Sequence, residues 1–432
     1  MTQLRRILVR SGTLAPVSAY GLADDAVRVA AGGAIGRYLD GAASRVAAAT
    51  RLYALQHACV AASALLALIA AAAAPHSAGR ALLAVLLVAS GAAAGVGAAG
   101  SSLAVERQFT KSLCGADVAA LARLNARMRA VDLACLLLAP IFAGALLQGA
   151  GLAAAVLALS AYNAAAFWPE RALLRAAALA APNIEARDPA ANAATEEGPG
   201  WRQALALYRK QSVLPAALSL ALLYFTVLSL GFLMTAYLHA RGVPDVAIAI
   251  VRAAGAATGL AATASFPRLA TRVPLPMLAA CGVAMQLFWL LIGVIPQLTD
   301  VASSAPLLRL LMASLALSRF GLWTADLAVS QMLQDDVAEA ELGAVNGVQG
   351  SVCAAFEMAS FVAGLALRTP RDYVALMAAS CAAVALAAAV LTRFALVRRA
   401  GATPLPRVPA ELEAGAPLAV EHAPLLSAPD DR

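Results

Sequence analysis

The sequence predicts an all-α membrane protein built as two pseudo-symmetric helical bundles, and three observations carry that reading. Of its 432 residues, 62% are hydrophobic and only 13% are charged, with a mean hydropathy of +0.77. A soluble domain is about 45–50% apolar and about 25% charged. No core of ordinary size hides so much apolar surface, so the solvent is lipid. Second, apolar runs of about 20 residues, enough to cross a bilayer core of ~30 Å, recur about 11 times. Third, a polar segment at 178–212, containing PNIEARDPAANAATEEGPG, divides these runs into five before it and six after it. The first half is thus one helix short of the second.

Residues 1–15 hold three arginines and no acid. They read as a transit-peptide remnant, a cytoplasmic leader or the product of a start assigned too late. The first half, 16–177, begins with Pro16–Leu39, the least apolar span, and continues roughly as Val46–Ala74, Ala81–Val105, Val131–Ala150 and Leu152–Leu173. Segment 178–212 is too long and polar for a tight turn and reads as a flexible cytoplasmic linker. The second half, 213–397, gives Val213–His239, Val246–Phe266, Pro274–Ile295, Leu307–Leu333, Gly343–Leu367 and Tyr373–Val397. The Pro-, Ala- and Glu-rich tail, 398–432, has the composition of a disordered segment.

Charge sets the orientation. Arg37, Arg45 and Arg51, then Arg107 and Lys111, then Arg268 and Arg272, and Arg393 with Arg398 all fall on one side of the spans. By the positive-inside rule that side is cytoplasmic. The net charge of +7 is accounted for this way, with no nucleic-acid surface implied. The six cysteines show no CxxC spacing and read as small buried hydrophobes. No nucleophile–base pair or phosphate loop appears, so no enzyme is expected.

Polar side chains inside lipid-buried helices must face a cavity or one another, which makes them functional candidates. In the first half these are Gln56 and His57, Asn163 and Glu170, Glu106 and Arg107, and Arg129 with Asp132. Asn163 and Glu170 are two helical turns apart and share a face. Glu170 lies near a span end and also fits a solvated interfacial acid. His57 stands alone in its span and fits helix-packing polarity. Arg129 and Asp132, at i and i+3, can pair. In the second half Arg319 and Asp326 again lie on one face, fitting an ion pair or a gate. Glu357 sits mid-helix without a nearby cation in sequence and fits a cation site or proton carrier. The segment GGAIGRYLDGAASR resembles the loop between the second and third helices of major facilitator transporters, and the resemblance implies a latch at Gly36, Asp40 and Arg45, with the glycine permitting close helix contact; solvated charge near the membrane surface is the alternative.

Several strings carry a family resemblance. SRFGLWTADLAVSQMLQDDVAEAELGAVNGVQGSV is the most specific, and AVERQFTKSLCG, LNARMRAVDLACLLLAPIFAG, SAYNAAAFWPE and VLPAALSLALLYFTVLSLGFLMTAYL accompany it. Together they resemble the ferroportin family, with the second half closer to plant and algal members. The resemblance implies a major facilitator fold and export of Fe²⁺, with Co²⁺ or Ni²⁺ as further cargo, by alternating access. It places metal contacts at Glu357, Gln56, Asn163 and Glu170, and gate or latch residues at Arg129, Asp132, Asp40, Arg45, Arg107, Arg319 and Asp326. The family acid on the first helix has no counterpart here. A family metal-binding His is Ser360 in this chain, and the Cys of the unwound seventh helix, the target of hepcidin, is missing. Hepcidin is therefore not an expected partner. The implied protein is a multi-pass monomer in a plasma, vacuolar or plastid-envelope membrane, with the dication as cargo and no cofactor. Two alternatives stay open: a major facilitator transporter of small organic cations or metal chelates, and a truncated non-transporting homologue.

Overall fold

A computed structural model of the chain describes residues 15–72, 78–115, 117–185, 200–229, 231–298, 304–366 and 370–401. Residues 1–14 and 402–432, with most of the leader and the tail expected from composition, lie outside it. The first half contains α1 (Ala15–Gly41), α2 (Arg45–Ala72), α3 (Ala78–Ser102) and a long helix Val118–Ala180. That last helix is divided by Gly151, whose φ of +77° suits only glycine, into α4 (118–150) and α5 (152–180). The segment after α3 widens into π-helical turns at Leu103–Phe109, then tightens again at Thr110–Cys114. Between the halves lies α6 (Trp201–Lys210). The second half contains α7 (Leu214–Tyr224), α8 (Phe232–Ala240), α9 (Asp245–Arg272), α10 (Leu275–Val294), α11 (Ala305–Asp336), α12 (Leu342–Ala366) and α13 (Pro370–Gly401). Seven helices among the described residues are long and apolar enough to cross a membrane.

Three elements differ from the sequence reading. The span at 213–239 is two helices, α7 and α8, parted by a stretch that includes Thr226, Val227 and Gly231. Segment 178–212 contains a helix: α6 buries Ala204 and Tyr208 and leaves Arg202, Arg209 and Lys210 exposed. The last helix of the first half runs on to Ala180, seven residues beyond the apolar run.

The two halves meet along two helix pairs. α1 packs on α12, and the long helix Val118–Ala180 packs on α9. Counted back from the end of its half, α1 is fifth and α12 second, and α9 and α4 hold the same places. The interface therefore repeats about a pseudo-two-fold axis, as expected of two related bundles. Glycine makes the α1–α12 approach close. A Cβ at Gly36 would lie 2.3 Å from the carbonyl oxygen of Gly343, and one at Gly347 would lie 2.4 Å from that of Gly32. Backbones in contact are the way small residues join helices where lipid offers no hydrophobic drive.

Candidate functional site

At the end rich in arginine and lysine the halves are joined by polar contacts in successive layers. Outermost, Arg45 at the start of α2 donates from Nη1 to Glu339 Oε1 at 2.7 Å. Its backbone N–H and Ser44 Oγ both donate to the Glu185 carboxylate, which fixes the start of α2. Lys111 donates to the carbonyl of Val337. Next, Asp40 at the end of α1 accepts the backbone N–H of Ala344 at 2.7 Å and the Gln108 amide at 2.9 Å. Ala344 is in the first turn of α12, so a carboxylate from one half caps a helix of the other, where free N–H groups and the helix dipole favour negative charge. Gly343 leaves the room: a Cβ there would sit 2.1 Å from Asp40 Oδ1.

Deeper in, Asn125 of α4 donates to Gln334 Oε1 at 2.6 Å, and Gln334 donates to the carbonyl of Glu106 at 2.9 Å and to Thr110 at 3.0 Å. Deeper still, ~15 Å along α11 from its end at Asp336, Arg129 reaches Asp326 at 2.8 Å. The Arg129 guanidinium also lies over the Trp323 ring, 5.0 Å from its centroid, and 3.5 Å from Asp132. Glu106, Arg107, Asn125 and Arg129 line a narrow cavity at this level, walled on the other side by Leu327 and Ser330. Thus Asp40, Arg45, Arg129, Asp132, Arg107 and Asp326 gather along one seam between the halves. The Asn125–Gln334 pair belongs to the same seam and was not singled out in the sequence, where two amides carry no charge signal.

Arg319 is the exception, and the reading that joins it to Asp326 is corrected. Two helical turns separate the two Cα atoms by ~10.5 Å along the axis, and each side chain takes a nearer partner. Asp326 instead pairs across the seam. Arg319 donates from Nη2 to the carbonyl of Leu228, at 2.7 Å, in the break between α7 and α8. Ser380 accepts from Val227 N–H at 3.0 Å, and Tyr373 donates to the Val227 carbonyl at 3.4 Å. Non-helical backbone survives at membrane depth only when buried in protein or lining a cavity, and side chains of α11 and α13 supply its partners.

The candidate metal contacts fall in two places. Glu357 lies ~22 Å along α12 from its start, on the helix that packs against both α1 and α7. In the first half, His57 of α2 meets two residues of α5. Its Nε2 lies 2.6 Å from Glu170 Oε2, and its Nδ1 lies 3.4 Å from Asn163 Oδ1. His57 is buried at 8% exposure; it does not stand alone, as its span implied. Glu170 is ten residues from the end of α5 at Ala180, with its side chain 36% exposed. Gln56 faces α3, where its Oε1 accepts from Ser101 at 3.1 Å. The structure thus brings Asn163 and Glu170 together on the imidazole and places Gln56 beside them on a different contact.

Comparison with known proteins adds the family. A family model described as Ferroportin1 (FPN1) matches residues 7–384. Solute carrier family 40 member 1 of Oryza sativa subsp. japonica is 32% identical over 330 residues, covering 72% of this chain and 68% of the rice protein. The crystal structure of a bacterial homologue of the iron transporter ferroportin, outward-facing with soaked iron, superposes with a TM-score of 0.72 at 25% identity, covering 89% of this chain and 91% of that one. The E. coli fucose:proton symporter shares the fold alone, with a TM-score of 0.56 at 14% identity over 92% of each chain. The chain has the major facilitator fold of an integral multi-pass membrane protein, and it belongs to the ferroportin family.

Proposed function

We propose that the chain exports a divalent first-row metal, Fe²⁺ foremost with Co²⁺ and Ni²⁺ as further cargo, by alternating access. The observation that carries the reading is the seam itself. Its contacts across the halves, Arg45–Glu339, Asp40–Ala344, Asn125–Gln334 and Arg129–Asp326, each involve a polar side chain. Buried apolar contact across the halves at the basic end is confined, among the described residues, to small side chains, with Ala122 and Ala126 of α4 set into the core of the second half beside the glycine crossing. Such a seam opens by exchanging hydrogen bonds for water, at a cost of about 0.5–1.5 kcal/mol for each neutral bond and about 1.5–3 kcal/mol for each charged one. Rocking the halves about α1–α12 and α4–α9 would then expose the cavity to either side.

Glu357 on one half and Glu170 on the other supply negative charge at membrane depth, where a dication needs a counter-charge. Gln56 adds an amide oxygen nearby, and Asn163 supports the site through the His57 ring. Carboxylate and amide oxygens hold first-row dications without the tight grip of thiolates, which suits a carrier that must release its cargo. Family membership and the iron-soaked bacterial homologue support metal as the cargo class.

The test is flux into vesicles. Purified chain reconstituted in liposomes should move ⁵⁵Fe²⁺ and ⁵⁷Co²⁺ well above the rate of protein-free vesicles, and should not move tetraethylammonium. Flux of the organic cation without metal flux would establish the alternative cargo class. No flux of either would leave a non-transporting homologue.

A further inference from the structure

We infer that His57 is a metal donor of the first-half site and that it turns that site toward transition dications over Ca²⁺ and Mg²⁺. The inference rests on the reading that the chain carries a divalent metal, and it assigns the donors of that site. Asn163 fixes the chemistry. Its amide nitrogen donates to the carbonyl of Leu159 at 2.9 Å, so its oxygen is the atom that faces the ring. That oxygen, 3.4 Å from Nδ1, marks Nδ1 as the protonated nitrogen. At Nε2 the 2.6 Å contact to the Glu170 carboxylate carries a proton, which a dication bound between the two atoms would displace to solvent. A metal-binding histidine almost always donates its second ring N–H to an oxygen acceptor, which sets both tautomer and orientation. Asn163 is such an acceptor. It is a positioning residue, on the opposite edge of the ring from any bound metal.

The ring is held from its sides as well. Tyr53, one turn earlier on α2, stacks on it with centroids 6.3 Å apart and an interplanar angle of 18°, and Phe167 meets its edge at 6.3 Å. Metal–nitrogen and metal–carboxylate bonds of about 2.0–2.2 Å put two neighbouring donors about 2.9–3.4 Å apart. Nε2 and Glu170 Oε2, 2.6 Å apart, need only separate by about 0.3–0.8 Å to reach that range. The Glu170 side chain is 36% exposed and can give that distance, while the imidazole stays in place. One nitrogen and one carboxylate oxygen, completed by water, form a borderline donor set. Imidazole suits Fe, Ni, Cu and Zn, whereas Ca²⁺ and Mg²⁺ favour oxygen alone.

The experiment measures binding, not transport. The full chain in detergent, carrying Glu357→Gln so that the second-half acid does not contribute, is titrated calorimetrically with Co²⁺. The visible absorption of Co²⁺ is recorded in parallel, and Ca²⁺ is added as competitor. The expected result is Co²⁺ binding that weakens at least tenfold in His57→Asn and in Glu170→Gln, with loss of the nitrogen-ligated Co²⁺ spectrum, and that an excess of Ca²⁺ does not displace. Asn163→Leu should weaken binding in the 10- to 100-fold range of an outer-shell partner. His57→Gln is a second replacement, and thermal unfolding confirms that each variant is folded. Co²⁺ bound equally well, with an unchanged spectrum, by folded His57→Asn and His57→Gln overturns the assignment. Displacement by equimolar Ca²⁺ overturns it too. The two readings separate cleanly. His57-dependent binding without vesicle flux keeps the site and removes the transport reading; flux with His57-independent binding does the reverse.

Discussion

Replacing Asp326 with Asn tests whether the seam controls which side of the molecule is open. The Arg129–Asp326 contact is 2.8 Å long, with side chains 21% and 7% exposed. Breaking a fully buried pair by removing one partner costs about 3–5 kcal/mol, and an exposed pair is worth about 0–1 kcal/mol. This pair lies between, and Arg129 keeps Asp132 at 3.5 Å and the Trp323 face at 5.0 Å after the change. The expected loss is therefore about 2 kcal/mol, which is about 30-fold in the ratio of closed to open seam. Hydrogen exchange read by mass spectrometry reports that ratio directly, because seam amides exchange through the open state. Peptides covering 325–345 and 118–130 should exchange about 30-fold faster in Asp326→Asn, while α10, buried within its own half, keeps its protection. A double cycle with Arg129→Ala should return a coupling of similar size. Unchanged exchange in the seam of a folded Asp326→Asn protein, or a coupling near zero, would refute the reasoning.

Three further perturbations follow from the same geometry. Gly347→Val places a side chain where a Cβ alone would lie 2.4 Å from the Gly32 carbonyl oxygen; overpacking of about 1–3 kcal/mol should force α1 from α12 and raise exchange in both. Asp40→Ala removes the acceptor of Ala344 N–H and Gln108, costing about 0.5–2 kcal/mol as a lost cap, seen as faster exchange at the start of α12. Arg319→Met removes the donor to the Leu228 carbonyl. An unmet buried carbonyl costs about 1–3 kcal/mol, so exchange should rise in the α7–α8 break and stay unchanged in the seam.

Much of this organisation could be read from residue order. The lipid-solvated class followed from composition, because an excess of apolar residues has one physical destination. The span positions followed from run length, and Asp40, Arg45, Arg129 and Asp326 stood out because charge is expensive in an apolar helix. What the sequence could not supply was partner choice across long separations. Asp326 has a cation seven residues away on its own helix and another 197 positions distant, and only the packing of α4 on α11 selects the distant one. His57 read as solitary for the same reason: its partners lie 106 and 113 positions on. The Asn125–Gln334 pair was invisible because amides are common at helix ends and only their meeting is informative. The split of α7 from α8 was hidden in an unbroken apolar run, since the side chains that satisfy its backbone belong to α11 and α13.

The central claim is that a dication crosses through the cavity between the halves with Glu357 as a counter-charge. The most direct test compares initial rates of ⁵⁵Fe²⁺ flux in liposomes holding equal amounts of wild-type and Glu357→Gln protein, each shown to be folded. A fall of at least tenfold on loss of that single charge is the predicted result, and equal rates would contradict the account.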